Sequence, residues 1–236
     1  MGRAHEVRAK AMAATAAARS SLFMRASKEI YMAAKSGEPD PAMNLALRSA
    51  IEKWKGQNVT KDVIERAIQK AKGGSAESYT AGRYEFMAQN NASLIVDTLS
   101  DNANRDYVAV RTIVTKKGGK QSSVLFNFTE AGILVFNGTN KDEIEETLIM
   151  SDIDVNSVEL DEDEIIVNVA PSALNAAKEV LASTGVNEFL TCEIQMVPND
   201  YVELSGEDET KFKAILEALE ECEDVQAVWH NAKFND

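Results

Sequence analysis

The sequence has 236 residues, of which 44% are hydrophobic and 27% are charged, and its formal net charge is −13. This length exceeds one small domain, and this composition is typical of a folded protein rather than a disordered one. No apolar run is long enough for a membrane helix or has the pattern of a signal peptide, so we expect neither membrane insertion nor export. The cysteines Cys192 and Cys222 are expected to be reduced thiols of a cytoplasmic protein.

Charge is divided unevenly along the chain. Residues 1–72 carry 14 Lys and Arg against 7 Asp and Glu, whereas residues 73–236 carry 11 against 31. A basic segment can bind phosphates by releasing their condensed counterions, while an acidic body repels nucleic acid and remains dissolved. The two parts are therefore expected to contact different partners, although a basic segment can also be no more than a solvated surface.

The first 74 residues predict a small helical domain. Behind an alanine-rich arm, apolar residues at helical spacing indicate a first helix at 22–35. Asp40 as N-cap and Pro41 at the first helical position predict the start of a second helix. Thr60 is the expected N-cap of a third helix, which ends at Gly73.

Beyond residue 74 the hydrophobic period predicts strands alternating with helices. Residues 92–99 and 124–128 are apolar runs of strand length, and a helical pattern at 102–117 lies between them. The next segments predict strand, helix, strand, strand, helix and strand, in that order, at 133–136, 143–150, 155–160, 164–169, 172–183 and 188–197. A helix at 205–221 and a strand at 225–230 follow.

This order of elements predicts an α+β protein. Its N-terminal three-helix domain would be followed by two ferredoxin-like α+β domains, one inserted in the other, because strand-helix-strand-strand-helix-strand is the ferredoxin-like order. The helical domain would comprise residues 1–74. The outer α+β domain would comprise 80–130 together with 202–236, and the inserted domain 132–200.

Motifs of catalysis and cofactor binding are missing from the sequence. It contains no phosphate-binding Gly-Lys loop, no paired histidines on a helix, no nucleophile elbow and no CxxC pair. Residues 159–164 are acidic but lack the pattern of a calcium loop, whereas a second acidic run at 217–224 could bind a basic protein segment or a divalent ion. We therefore expect no enzyme, no cofactor, no metal site and no small-molecule substrate.

Five stretches of the sequence resemble the YebC family, and together they extend over nearly the whole chain. They are residues 1–4, 60–68, 99–119, 202–204 and 224–231. The most particular of them is Leu99-Ser100-Asp101-Asn102, continued by Asn104, Arg105, Val110, Arg111, Lys116, Gly118 and Gly119. The chain departs from the family pattern in the loops at 86–91 and 120–123, so any function of those loops is open.

The resemblance implies a cytoplasmic, non-enzymatic regulator of gene expression that binds nucleic acid. The family includes probable DNA-binding transcriptional regulators and a mitochondrial translational activator, and its members are implicated in relieving stalled translation. The implied target is therefore DNA or ribosomal RNA. Two alternatives stay open: the acidic body could contact the ribosome or a basic protein, or the whole chain could be an acidic protein-interaction adaptor.

Two sets of residues are candidates for the site. The candidate phosphate contacts are the cations of the helical domain, namely Arg3, Arg8, Lys10, Arg19, Arg25, Lys28, Lys61 and Arg66. The second set is the motif surface, formed by Asn102, Asn104, Arg105 and Arg111. Asn102 can also be a plain helix cap, and one of the two arginines can pair with an acid. A helix-turn-helix with the third helix in a major groove is a further alternative.

Overall fold

A computed structural model of the protein describes residues 16–74 and 77–234, with side chains from Arg19 onward. The described chain forms two compact units. One contains Glu130–Val197 with Glu52–Asn58, and the other contains 16–51, Val59–Thr129 and 198–234. The predicted division into three domains stays a prediction.

Three helices precede the first strand of the described chain, which confirms the helical N-terminal region. They are α1 (Ala16–Lys35), α2 (Leu45–Gly56) and α3 (Lys61–Lys72). Thr60 lies at the N-cap position of α3, although its side chain makes no capping hydrogen bond.

The predicted start of α2 at Asp40 is wrong. Asn44 caps this helix, because its Oδ1 accepts a hydrogen bond from the backbone N–H of Leu47 at 3.0 Å. Asp40 lies one turn earlier, where its carboxylate accepts from the N–H of Ala42 at 2.9 Å. Asp40 therefore stabilises the turn that leads into α2 and not the helix itself.

The outer α+β part begins with the hairpin of β1 (Thr80–Met87) and β2 (Ser93–Ser100), followed by α4 (Ala103–Lys116) and the short β3 (Lys120–Gln121). The end of the chain supplies β8 (Val202–Leu204), α7 (Gly206–Glu220), β9 (Val225–His230) and β10 (Ala232–Phe234). The sheet has the order β3-β1-β2-β9, and β8 pairs with β10 in parallel. Apolar side chains of β1, β2, α4, α7 and β9 form one buried cluster, centred on Phe86, Val110 and Phe212.

The chain between β3 and β8 forms β4 (Phe128–Asn137), α5 (Lys141–Met150), β5 (Val155–Asp161), β6 (Glu164–Val169), α6 (Leu174–Ser183) and β7 (Thr191–Pro198). Their sheet order, β5-β6-β4-β7, is the ferredoxin-like order. The sheet and both helices enclose a core that includes Leu134, Phe136, Leu148 and Leu181. Burial of each such side chain contributes about 1.5–3 kcal/mol.

The α+β class is confirmed, with local differences. Residues 124–127 are not a strand, and only Phe128 of the predicted run lies in one, at the start of β4. Leu125–Asn127 is a 3-10 turn, and Glu85 Oε2 accepts the N–H groups of Val124 and Leu125 at 2.6 and 2.8 Å. The outer sheet places its hairpin at the centre, so its strands are not interleaved as in the ferredoxin-like order.

Candidate nucleic-acid interface

The eight predicted phosphate contacts have different environments. Arg3, Arg8 and Lys10 lie outside the described residues. Arg19, Lys61 and Arg66 are exposed. Lys61 forms an ion pair with Glu65 at 3.4 Å, one turn along the same helix, whereas the guanidinium groups of Arg19 and Arg66 have no partner in the described part of the chain.

Lys28 is not available to a phosphate, which corrects its assignment to this set. The residue is only 8% exposed. Its ammonium group donates to Asp224 Oδ1 at 2.5 Å, to the carbonyl of Glu223 at 3.0 Å and to the carbonyl of Leu99 at 3.3 Å. Three acceptors saturate the three donors of a lysine, so Lys28 holds α1 in place.

Arg25 is the second predicted phosphate contact that the structure corrects. It lies one turn from Lys28 on α1 and is also largely buried. Its guanidinium donates to the carbonyl of Glu220, and Ser21 Oγ donates to the carbonyl of Glu221 at 3.0 Å. Burial lowers the pKa of Arg25 from its ordinary value, against the attraction of Glu220. The donors of α1 therefore meet the C-terminal carbonyls of α7, the negative end of that helix.

These contacts bring a basic helix to the acidic run at 217–224. Asp224 pairs with Lys28 through its carboxylate, whereas Glu220, Glu221 and Glu223 accept from α1 through their backbone carbonyls. A basic protein segment or a divalent ion at the glutamate side chains stays a prediction. Asp224 is at the centre of the arrangement, since its Oδ2 accepts from Ser100 Oγ at 3.0 Å and lies 3.5 Å from Arg105. Burial acts to raise the pKa of Asp224, but Lys28, Ser100 and Arg105 outweigh it, and the pKa lies below its ordinary value.

All four residues of the motif surface are exposed, and two of them also bond to other residues of the chain. Asn102 caps α4, accepting from the N–H of Arg105 at 3.0 Å. The Arg105 side chain pairs with Asp101 at 2.6 Å, and this hydrogen bond raises its pKa. The side chains of Asn104 and Arg111 make no hydrogen bond or ion pair with any other described residue. Arg111 therefore remains the member of the set best suited to bind a ligand.

A buried carboxylate fixes α4 on the sheet. Asp106 is 1% exposed, and its Oδ2 accepts from Thr98 Oγ1 at 2.6 Å and from the Tyr84 hydroxyl at 3.0 Å. Burial and this hydrogen bond raise the pKa of Tyr84 to about 12. Because Asp106 and Val110 point inward, Arg111 is held on the outer face of the helix.

Helix α3 has a mixed outer face. Its exposed acids Asp62 and Glu65 alternate with cations, and Lys70 pairs with Glu77 at 2.6 Å. The hydrogen bond from Lys70 is the largest of the effects that lower the pKa of Glu77. A helix that reads bases places unpaired side chains toward the groove. This face of α3 is therefore better suited to contact the phosphate backbone of a nucleic acid than to read its bases.

Sequence reasoning missed three cations beside Arg111. Lys116, Lys117 and Lys120 follow it at the end of α4 and in β3, and their ammonium groups have no acidic partner among the described residues. The signal was present in the sequence, since residues 107–129 contain four cations and no acid. The average over residues 73–236 concealed it.

In residues 16–74 and 77–234, no group of three His, Cys, Asp or Glu side chains is placed to hold a metal ion. None of the helices in the same ranges is long and apolar enough to cross a membrane.

Family models match almost the entire chain. Residues 3–74 match the TACO1/YebC protein N-terminal domain, and residues 79–232 match the TACO1/YebC second and third domain. A probable transcriptional regulatory protein of Mesoplasma florum is 47% identical over 235 residues, which cover 98% of this chain and 99% of that protein. The probable transcriptional regulatory protein YeeN of Escherichia coli K12 is 42% identical over 217 residues, or 91% of each chain.

A solved structure resembles the fold. The crystal structure of a conserved hypothetical protein from Aquifex aeolicus superimposes with a TM-score of 0.78 and 31% sequence identity. The match covers 92% of this chain and 91% of the other. The arrangement of helices and sheets described above is therefore shared with an experimentally determined protein.

Proposed function

The chain belongs to the TACO1/YebC family, and from this membership we propose that it is a non-enzymatic regulator of gene expression that binds nucleic acid in the cytoplasm. The relatives from Mesoplasma florum and Escherichia coli are named as probable transcriptional regulatory proteins. Transcriptional regulation through DNA is the first form of the proposal.

The observation that carries this proposal is the set of exposed cations without acidic partners. In the helical region the set includes Arg19, Arg66 and Lys72, and on α4 it continues with Arg111. An unpaired surface cation can bind a phosphate without first breaking an ion pair. Release of condensed counterions then supplies the free energy of binding.

A second form of the proposal, in which the target is ribosomal RNA, is favoured by the mixed face of α3. With Lys61 and Lys70 paired to acids, this helix offers few side chains for reading bases in a major groove. Folded RNA is recognised mostly through its shape, its phosphates and its 2′-hydroxyl groups. A translational role in relieving stalled ribosomes, which the family resemblance implies, would use such binding.

The alternative of an acidic interaction adaptor is less favoured. In the acidic run at 217–224, the carboxylate of Asp224 is already paired with Lys28 of α1, whereas Glu220, Glu221 and Glu223 accept from α1 through their backbone carbonyls. A partner that used Asp224 would have to displace Lys28. The adaptor would nevertheless be supported if a protein partner bound equally well after nuclease treatment and after loss of the exposed cations.

Two measurements on one preparation test the proposal and separate its two forms. The full chain is sedimented with ribosomes at physiological salt, and a candidate promoter duplex competes with random duplex for the same protein. Transcriptional regulation predicts selection of the promoter by at least about a thousandfold and no sedimentation. Translational regulation predicts sedimentation and little selection. If the protein neither sediments nor binds any duplex, the proposal is wrong.

A further inference from the structure

The acidic body carries a local surface of the opposite charge. Only 11 Lys and Arg occur in residues 73–236, and four of them, Arg111, Lys116, Lys117 and Lys120, lie within ten consecutive positions. No Asp or Glu occurs from residue 107 to residue 129. The nearest acid in sequence, Asp106, is buried and occupied by Thr98 and Tyr84. The carboxylate of Glu85, which reaches this segment from β1, accepts the N–H groups of Val124 and Leu125.

We propose that the α4 basic surface, formed by Arg111, Lys116, Lys117 and Lys120, binds the sugar-phosphate backbone of the nucleic acid. The inference rests on the proposed function and adds to it a second contact, outside the helical region where the sequence predicted phosphate binding.

The cations are distributed over the surface of α4 and β3. Arg111 and Lys116 are both exposed, and their five-residue separation places them about 7.5 Å apart along the axis of α4 and about 140° apart around it. They can therefore contact phosphates at different positions of a nucleic acid that passes over the end of the helix. Lys120 adds a cation in β3, where it pairs with Met87 of β1.

Stabilisation of the helix alone accounts for only part of this arrangement. Cations in the last turn of a helix interact favourably with its negative end, which explains Lys116 and Lys117. It does not explain Arg111 near the middle of α4, Lys120 beyond the helix, or the lack of acids over 23 positions in an acidic chain. These features favour an extended polyanion as the ligand.

The acid-free segment also contains an exposed aromatic side chain, six positions after Lys120. Phe126 belongs to the same acid-free segment and is 75% exposed. Proteins that bind single-stranded nucleic acid combine a cationic surface with aromatic rings on which bases stack. An acidic peptide would use the cations but would have less use for the ring.

The proposal is tested with a triple variant of the full chain and a matched control. Lys116→Gln, Lys117→Gln and Lys120→Gln are combined in the first, and Lys211→Gln, Lys213→Gln and Lys233→Gln in the second. Both lose three positive charges from the same compact unit, and in the wild type Lys211 and Lys213 are already paired with Glu207 and Glu209. Thermal melting of both variants verifies that they are folded.

Binding is measured by fluorescence anisotropy with a mixed-sequence DNA duplex of about two helical turns, with an unstructured RNA, and with polyglutamate as competitor. We expect the first variant to bind nucleic acid roughly 10- to 100-fold more weakly than the control, with a salt dependence reduced by about two to three phosphate contacts.

Three results would overturn the proposal. If wild type binds and both variants bind equally well, the α4 basic surface is not used, and the proposed function stands without it. If the first variant loses only its sensitivity to polyglutamate, the ligand is an acidic protein. If the wild type binds neither probe, the proposed function itself fails and this inference fails with it.

Discussion

Lys28 of α1 and Asp224, which follows α7, form an ion pair at 2.5 Å although they are 196 positions apart in the sequence. The side chains are 9% and 15% exposed, so the pair is largely removed from water. The ion pair links the helical region to the outer α+β part, with one charged side chain from each. A cation that the sequence suggested for phosphate binding is therefore part of the folded framework.

Replacement of Lys28 by Met should destabilise the protein but should not remove a contact to nucleic acid. Loss of one partner leaves Asp224 partly buried without its counter-charge, which costs about 3 kcal/mol and lowers the melting temperature by roughly 6–12 °C. Arg66→Met, at an exposed cation of α3, is the control and should change stability by less than about 0.5 kcal/mol. Equal melting temperatures for the two variants would show that the Lys28 pair is not structural.

The pH dependence of stability should contain a contribution from Asp224. Its folded pKa lies below the value of 3.8 for the free side chain, so the folded protein holds its proton less strongly than the unfolded chain. The stabilisation is then complete above about pH 4–5 and is lost as the pH falls through the folded pKa. Urea unfolding between pH 7 and pH 3 measures it, and Asp224→Asn should flatten the acid limb. An unchanged acid limb in the variant would contradict this assignment.

Asn102 and Asn104 provide a matched pair at the start of α4. Asn102→Ala removes the side-chain cap and should cost about 1 kcal/mol of stability. Asn104→Ala removes an exposed amide that makes no hydrogen bond with any other described residue, and it should leave stability almost unchanged. Guanidinium unfolding of both variants distinguishes them, and a neutral Asn102→Ala would exclude the capping role.

Arg105 and Arg111 should differ in nucleic-acid binding, although both lie on the exposed side of α4. The charge of Arg105 is already matched by Asp101 and Asp224, whereas Arg111 has no acidic neighbour among the described residues. Arg111→Gln should reduce the slope of log affinity against log salt by about one, and Arg105→Gln should reduce it by less. The opposite ranking would place the interface at the Asp101 end of the helix.

The sequence predicted the elements better than the environments of their side chains. The limits of α3, α4, β6 and β9 followed closely from caps and hydrophobic period. Strand β1 was not predicted, because Phe86 is its one fully buried side chain and gives little periodic signal. The 3-10 turn after Val124 depends on Glu85, 39 positions away, which no local pattern contains.

The same limit applies to the candidate site. Arg19 and Arg25 are alike in a charge count, but only the fold shows that Arg25 reaches the carbonyl of Glu220 and that Arg19 is exposed. Lys116, Lys117 and Lys120 were present in the sequence as an acid-free run. They were overlooked because charge was averaged over the whole acidic body.

The central claim is that this chain binds nucleic acid through phosphates, and its most direct test is the affinity of the full-length protein as a function of salt. The dissociation constant for a mixed-sequence duplex and for a folded RNA is measured between about 50 and 200 mM salt. We predict a linear fall of log affinity with log salt, with a slope of at least about −3 for either probe, since four or more phosphates would be contacted. An affinity that is independent of salt for both probes would contradict the account.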